Sequence, residues 1–238
     1  MPLPKIYDWE RVREALKLLA ERFPDEFPDW VLIGGGACWF YRESLRLAQD
    51  RDFAPPACTA AEEEIWLSKD VDFMGLTVEE AAGLFQAPFK EETHTISFEG
   101  LEVDFLEEGL KITLRDALTN LREVQTTDFV FNVLAPETLF AEKCALLANK
   151  ERPQDRLHHA LLVQFLQYEF CADLEKPDLL DSDAWVLRAR EVKTADVQFF
   201  ASDGRFNERL TRALPGLNSV NHKRILHWAK HHLPGYTG

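Results

Sequence analysis

The chain is short of positive charge, of spaced cysteine pairs and of long apolar runs, and each shortage closes off a class of function. Twenty-seven Lys and Arg stand against 41 Asp and Glu, a formal net charge of −14. A polyanionic partner needs a basic face, so nucleic acid and anionic membrane are poor partners for the chain as a whole. The deficit is uneven. Residues 181–238 hold nine Lys/Arg against six Asp/Glu, a net of +3 that leaves −17 for the first 180 residues. That tail, with His222, His227, His231 and His232, is either a solvated surface or the one place where a phosphate-rich partner docks.

Cys38, Cys58, Cys144 and Cys171 are scattered without a C-x-x-C, which argues against a zinc framework or a disulfide scaffold and for reduced, mostly buried thiols. No apolar stretch is long enough to cross a bilayer, and Met1–Lys5 lacks the apolar core of a signal peptide. A cytoplasmic protein with no membrane partner is the expectation. No internal repeat or low-complexity block stands out. What is present, 46% hydrophobic and 29% charged residues over 238 positions, suits one ordinary core, or one domain with a smaller helical partner.

Residues 8–23 carry Trp9, Val12, Leu16, Leu19 and Phe23 at helical spacing, and Pro24 and Pro28 end the run. Trp30–Ile33 predicts a short strand running into Gly34-Gly35-Gly36, followed by a helix over 37–48. Strand, glycines, helix either packs a helix tightly on a strand or offers backbone N–H groups to a phosphate. Residues 49–64, without a clear period and with Pro55-Pro56, read as an inserted, mobile surface loop. Thr77 and Glu80 form a capping box for a helix ending near Phe85. Residues 93–98, Glu99-Gly100 and 101–106 predict a hairpin, 114–124 a helix, and 128–134 a strand. Pro136 starts a helix, Arg152-Pro153 breaks it, and 153–169 forms another. Further helices are expected over 182–190, 203–214 and 221–232.

The chemistry centres on Ser68-Lys69-Asp70-Val71-Asp72-Phe73. In a strand, Asp70 and Asp72 project to one face while Val71 and Phe73 anchor the other. Two like charges so close together are either solvated on an exposed face or compensated by a cation, Mg²⁺ first among them. Leu101-Glu102-Val103-Asp104-Phe105 supplies a third strand aspartate with its own apolar anchors. Three acidic groups converging on one sheet face after a glycine turn favour the metal reading.

In this order, strand-GGG-helix, S-K-D-V-D-F and L-E-V-D-F resemble the polymerase-beta-type nucleotidyltransferase superfamily. Phe140-Ala141-Glu142-Lys143-Cys144-Ala145-Leu146-Leu147, Arg152 and Gln154-Asp155-Arg156 are similar to the later helical block of its AbiEii-like branch, many members of which are toxins of toxin-antitoxin systems. The resemblance covers about residues 30–168. It implies an α+β (mixed α/β) fold, a small mixed sheet flanked by helices over 1–134 with a helical C-terminal region over 135–238. The implied activity moves NMP from a nucleoside triphosphate to an acceptor, which is a protein, a small molecule or, against the charge balance, tRNA. An antitoxin partner is also implied. Gly34, Gly35 and Gly36 would hold the triphosphate and Ser68 would stand at the phosphate-side entry to the strand. Asp70, Asp72 and Asp104 would hold Mg²⁺, with Mn²⁺ as the alternative, and Asp104 would otherwise serve as base. Lys143 would reach a phosphate, and Asp155 would orient that lysine or meet the acceptor.

Each of the last two has a plainer role available, Lys143 as a snorkelling side chain and Asp155 as a helix N-terminal charge. The adjacent pairs His158-His159 and His231-His232 point in different directions on a helix, which suits solvent or packing rather than a shared metal.

Two departures from the family pattern bear on function. Gly36 and Asp70 lie 34 positions apart, far more than is usual in the family, which puts the 49–64 loop near the nucleotide. Gln154 and His158 stand where the family carries a basic residue and a second aspartate. Both departures keep open a catalytically silent binding or regulatory module. A nucleotide-sugar glycosyltransferase using D-V-D as its metal motif is the third reading.

Overall fold

The structure, a computed structural model, describes residues 9–66, 70–90, 92–149 and 152–174 and scattered positions beyond 200. Ser68 lies outside the described residues, as do the helices expected over 182–190, 203–214 and 221–232 apart from those scattered positions.

The fold is mixed α/β. Helix α1 (Trp9–Arg22) buries Val12, Leu16 and Leu19 of the stripe read in the sequence, together with Ala15. Strand β1 (Val31–Leu32) leads directly into α2 (Gly34–Ala48), so the glycines form the helix's first turn rather than a loop before it. A short 3-10 turn (Phe27–Asp29) precedes β1, and the remaining elements are α3 (Ala60–Ile65), β2 (Val71–Met74), α4 (Val78–Phe85), β3 (Phe89–Lys90), β4 (Thr95–Phe98), β5 (Leu101–Phe105), α5 (Leu114–Thr119), β6 (Leu121–Gln125), β7 (Val130–Leu134), α6 (Pro136–Asn149) and α7 (Pro153–Leu174). Among the described residues the strands form one seven-stranded sheet, in the order β3-β4-β5-β2-β1-β7-β6.

β2 and β5 are neighbours and parallel, with Asp72 opposite Asp104, Val71 opposite Val103 and Phe73 opposite Phe105. This register decides what each sheet face carries. Because side chains alternate, one face receives Val71, Phe73, Val103 and Phe105, all at most 1% exposed, and the other receives the carboxylates. The apolar face is largely aromatic: Phe73 stacks on Phe105 at 5.8 Å between centroids, Trp30 meets Phe105 edge-on at 5.0 Å, and Phe85 of α4 joins Phe23 at 4.6 Å. Rings that interlock in this way fix strand register as well as adding buried area. The hairpin turn is tight as read, with Glu99 at φ 46° and Gly100 at φ 89°.

α7 lies against α2, where Tyr41 packs on Phe165 at 4.6 Å and its hydroxyl donates to the carbonyl of Leu134 at 2.6 Å.

Two expectations need correction. The helix expected over 114–124 stops at Thr119, and residues 121–125 form β6, paired antiparallel with β7 from Leu121↔Leu134 to Gln125↔Val130. Sheet hydrogen bonds and the Arg122–Glu169 ion pair, at 2.5 and 2.7 Å, override a local helical pattern of five residues. The segment 49–64 is not a bare surface loop. Thr59 and Glu62 build a capping box for α3, Phe53 is 1% exposed, and Glu63 accepts two hydrogen bonds from Arg42 at 2.5 and 2.9 Å. Arg42 in turn packs against both Trp39 and Trp66, 4.8 Å from each ring.

Candidate active site

Asp70 precedes β2, Asp72 sits within it and Asp104 is its neighbour on β5, so two adjacent strands deliver all three carboxylates to one place. One oxygen from each lies within 4.8 Å of the others. Burial first, and then the neighbouring Asp70 and Asp104 charges, push the Asp72 carboxyl up to about 7, against the pull of Lys143 and a hydrogen bond from the Gly35 N–H. Asp104, 9% exposed, is raised to about 6, again by burial first; the Thr95 hydroxyl bond opposes this and the Asp70 and Glu102 charges add to it. One oxygen of Asp104, Oδ1, is buried with no hydrogen-bond partner. A buried, unpartnered carboxylate oxygen costs free energy that protonation or a cation removes.

The cluster opens into a cavity of about 730 Å³, within the range of small-molecule sites. Gly34 and Gly35 line it beside the aspartates, whereas Gly36 packs inward, where a Cβ would meet Leu32 Cδ1 at 2.9 Å. None of residues 49–64 lines it, so the inserted segment braces α2 instead of covering the site. Gly34 has φ +60°, and a Cβ there would stand 2.1 Å from Asp72 Oδ2. Gly34→Ala is therefore expected to lose at least about 1–2 kcal/mol from the left-handed backbone alone. It also displaces Asp72. Thermal unfolding with and without Mn²⁺ checks both effects, and a variant that unfolds and binds metal like wild type would contradict this geometry.

Lys143, on α6, faces the same cavity and is held from behind. Its Nζ lies 3.0 Å from Asp155 Oδ1 on α7, and Arg152 Nε reaches Asp155 Oδ2 at 2.5 Å. Burial would raise the Asp155 carboxyl, but the Arg152 hydrogen bond and the Lys143 charge outweigh it and hold the group below the usual carboxylate range. Asp155 is thus paired with the lysine and also stands in the first turn of α7, as a helix N-terminal charge would.

His158 and His159 are both buried, in line with packing. His158 nevertheless borders the cavity, with neither ring nitrogen hydrogen-bonded, its ring edge-on to Trp66 at 4.8 Å and its pKa driven well down by burial.

The raised Asp72 carboxyl has a pH signature. A folded-state pKa near 7 against an unfolded one near 4 means that the native state binds more protons in between, so Asp72 destabilises the metal-free fold increasingly as pH rises from about 4 to 7. His158, kept neutral in the fold, works in the opposite sense as pH falls below about 6.5. The difference between proteins is therefore the clean reading. Taking the metal-free protein from pH 7.5 to 5.5 is expected to stabilise wild type by about 2 kcal/mol relative to Asp72→Asn in urea titrations. Parallel pH profiles for the two proteins would contradict the shift.

Sequence reading named all three aspartates, Gly34, Gly35, Lys143 and Asp155, and the structure brings these together. It missed Glu142, whose signal was present. Leu139, Glu142, Lys143 and Leu146 form an i, i+3, i+4, i+7 stripe on α6, and all four line the cavity.

Among the described residues no helix is long and apolar enough to cross a membrane. No protein-family model and no curated protein matches the chain. Among solved structures it is similar to an antigenic nucleotidyltransferase-like protein from Paracoccidioides brasiliensis, at 11% identity and a TM-score of 0.43, over 94% of this chain and 95% of that one. At that distance the likeness carries no residue role across.

Proposed function

We propose that the chain is a divalent-metal-dependent nucleotidyltransferase that moves NMP from a nucleoside triphosphate to an acceptor hydroxyl. The observation that carries this reading is the set of three carboxylates, two of them raised above their ordinary pKa and one with an orphaned oxygen, at the wall of a nucleotide-sized cavity that also holds Lys143.

An all-oxygen donor set suits a hard cation, so Asp70, Asp72 and Asp104 fit Mg²⁺ or Mn²⁺. A bound ion supplies charge neutralisation at the phosphates, which phosphoryl-type transfer needs more than covalent chemistry. The protein does the rest. Lys143, fixed by Asp155, presents a point charge to the triphosphate. The Gly34-Gly35 turn lets the phosphates approach the backbone, and the Gly35 N–H holds Asp72 in place. Where Asp104 is not holding the ion, its carboxylate would take the proton from the acceptor hydroxyl as that hydroxyl's oxygen bonds to the α-phosphorus and pyrophosphate leaves. The balance of acidic charge favours a protein or small molecule over tRNA as acceptor. The AbiEii-like resemblance adds a toxin role with a protein antitoxin to this reading.

A binding module without turnover is the competing reading, and Gln154 and His158 on the cavity wall are what favour it. Incubation with each labelled nucleoside triphosphate, Mg²⁺ and a cell extract separates the two, with label followed into protein, RNA and small molecules. Transfer from at least one triphosphate is expected. Absence of transfer from all four, or equal transfer by Asp70→Asn, would sink the enzyme reading.

A further inference from the structure

Between β5 and α5 the chain lines the cavity as a loop, residues 106–113, that begins two positions after Asp104. Glu142 holds this loop from α6. It is 8% exposed, and its carboxylate accepts the N–H of Leu110 at Oε1, 2.9 Å, and the N–H of Lys111 at Oε2, 2.6 Å. Two consecutive backbone donors on one carboxylate make a two-point grip, and hydrogen bonds to an ionised acceptor are the stronger kind. The loop also closes on itself, with the Gly109 N–H donating to the Ile112 carbonyl at 2.8 Å and Glu108 bridged to Thr113. Gly109 presses against the grip so closely that a Cβ there would stand 2.7 Å from Glu142 Oε1. Ile112 is buried, and Leu110 remains 48% exposed at the rim.

What the grip joins gives it a use. One end is continuous with the strand that carries Asp104, and the other is the residue next to Lys143. That carboxylate thus ties the chain leading out of the carboxylate cluster to the residue beside the lysine. We infer that Glu142 is a positioning residue for nucleotidyl transfer, setting the span across which the triphosphate lies by clamping the 106–113 loop to α6. The inference rests on the proposed function. It adds that this spacing is held by a buried contact of a residue outside the three metal carboxylates, on the wall of the same cavity.

The test compares Glu142→Ala and Glu142→Gln with wild type in three measurements. Amide exchange at Leu110 and Lys111 is expected to speed up about 10- to 100-fold in Glu142→Ala, the worth of a hydrogen bond to a charged acceptor. Glu142→Gln, which keeps one acceptor oxygen, should fall between. Loss of alignment should appear in kcat more than in KM for the triphosphate, with kcat down about 30- to 100-fold in Glu142→Ala and partly rescued in Glu142→Gln. Mn²⁺ affinity should stay within about 3-fold, because all three aspartates remain.

Faster exchange with unchanged kcat would make the clamp merely structural and overturn the inference. So would a loss confined to KM, or a loss that Glu142→Gln does not relieve. A wild-type protein that transfers from no triphosphate overturns the proposed function instead, a result visible before any variant is made.

Discussion

Asp72→Asn is expected to abolish nucleotidyl transfer, by a factor of at least about 10³, while leaving the metal-free protein at pH 7.5 as stable as wild type or more so. The two halves of this result have one cause. Burial, and then the charges of Asp70 and Asp104 beside it, push the Asp72 carboxyl up to about 7. Asparagine keeps the shape and an acceptor for the Gly35 N–H but removes one charge from a mutually repelling set. Without a cation the fold is relieved. With one required, the donor set is broken, and loss of the several kcal/mol that a metal contributes at a phosphate corresponds to three or more powers of ten in rate. Steady-state transfer and thermal unfolding on the same preparations check both halves. Activity above a tenth of wild type, or a variant much less stable than wild type, would contradict the assignment of Asp72.

Asp155→Ala should produce the largest loss of stability. Its side chain is 1% exposed and that of Lys143 is 6%. Removing the carboxylate leaves a buried ammonium without compensation, a loss of about 3–5 kcal/mol. Arg152 contributes little of this, since its side chain is 48% exposed and the solvent screens it. The double change Lys143→Met with Asp155→Leu should recover most of the stability, because a buried ion pair is often no better than well-packed apolar groups. It should not recover transfer. Urea unfolding of the single and double variants measures the pair, and a single variant within about 1 kcal/mol of wild type would show that the bridge does not hold α6 to α7.

The parts of the fold and site that were legible in the sequence share a physical character. Asp70, Asp72 and Asp104 could be read because strand alternation puts a charged residue and its apolar anchor at adjacent positions, and Val71, Phe73, Val103 and Phe105 are anchors of that kind. The capping box at Thr77 and the hairpin turn at Glu99-Gly100 are local interactions, and both formed as read. Apart from the local capping box at Thr59 and Glu62, what was misread depends on partners distant in the chain. Leu121–Gln125 became a strand because β7 was there to pair with it, and Arg122 became an anchor because Glu169 lies across from it. The segment 49–64 looked unattached because the partner of Glu63 is Arg42 on another helix. Glu142 stood in a legible helical stripe, but its role there was not legible, because its partners are backbone N–H groups 32 and 31 residues away.

The central claim is that the three carboxylates form one divalent-metal site serving a nucleotide. Mn²⁺ binding followed by electron paramagnetic resonance, with and without a non-hydrolysable nucleoside triphosphate, tests it most directly. The account predicts saturable binding that tightens when the nucleotide is present and is lost in each of Asp70→Asn, Asp72→Asn and Asp104→Asn. Binding that is weak, indifferent to nucleotide and equal in the three variants would mean that the aspartates repel one another for some other reason, and the proposed function would fall with the site.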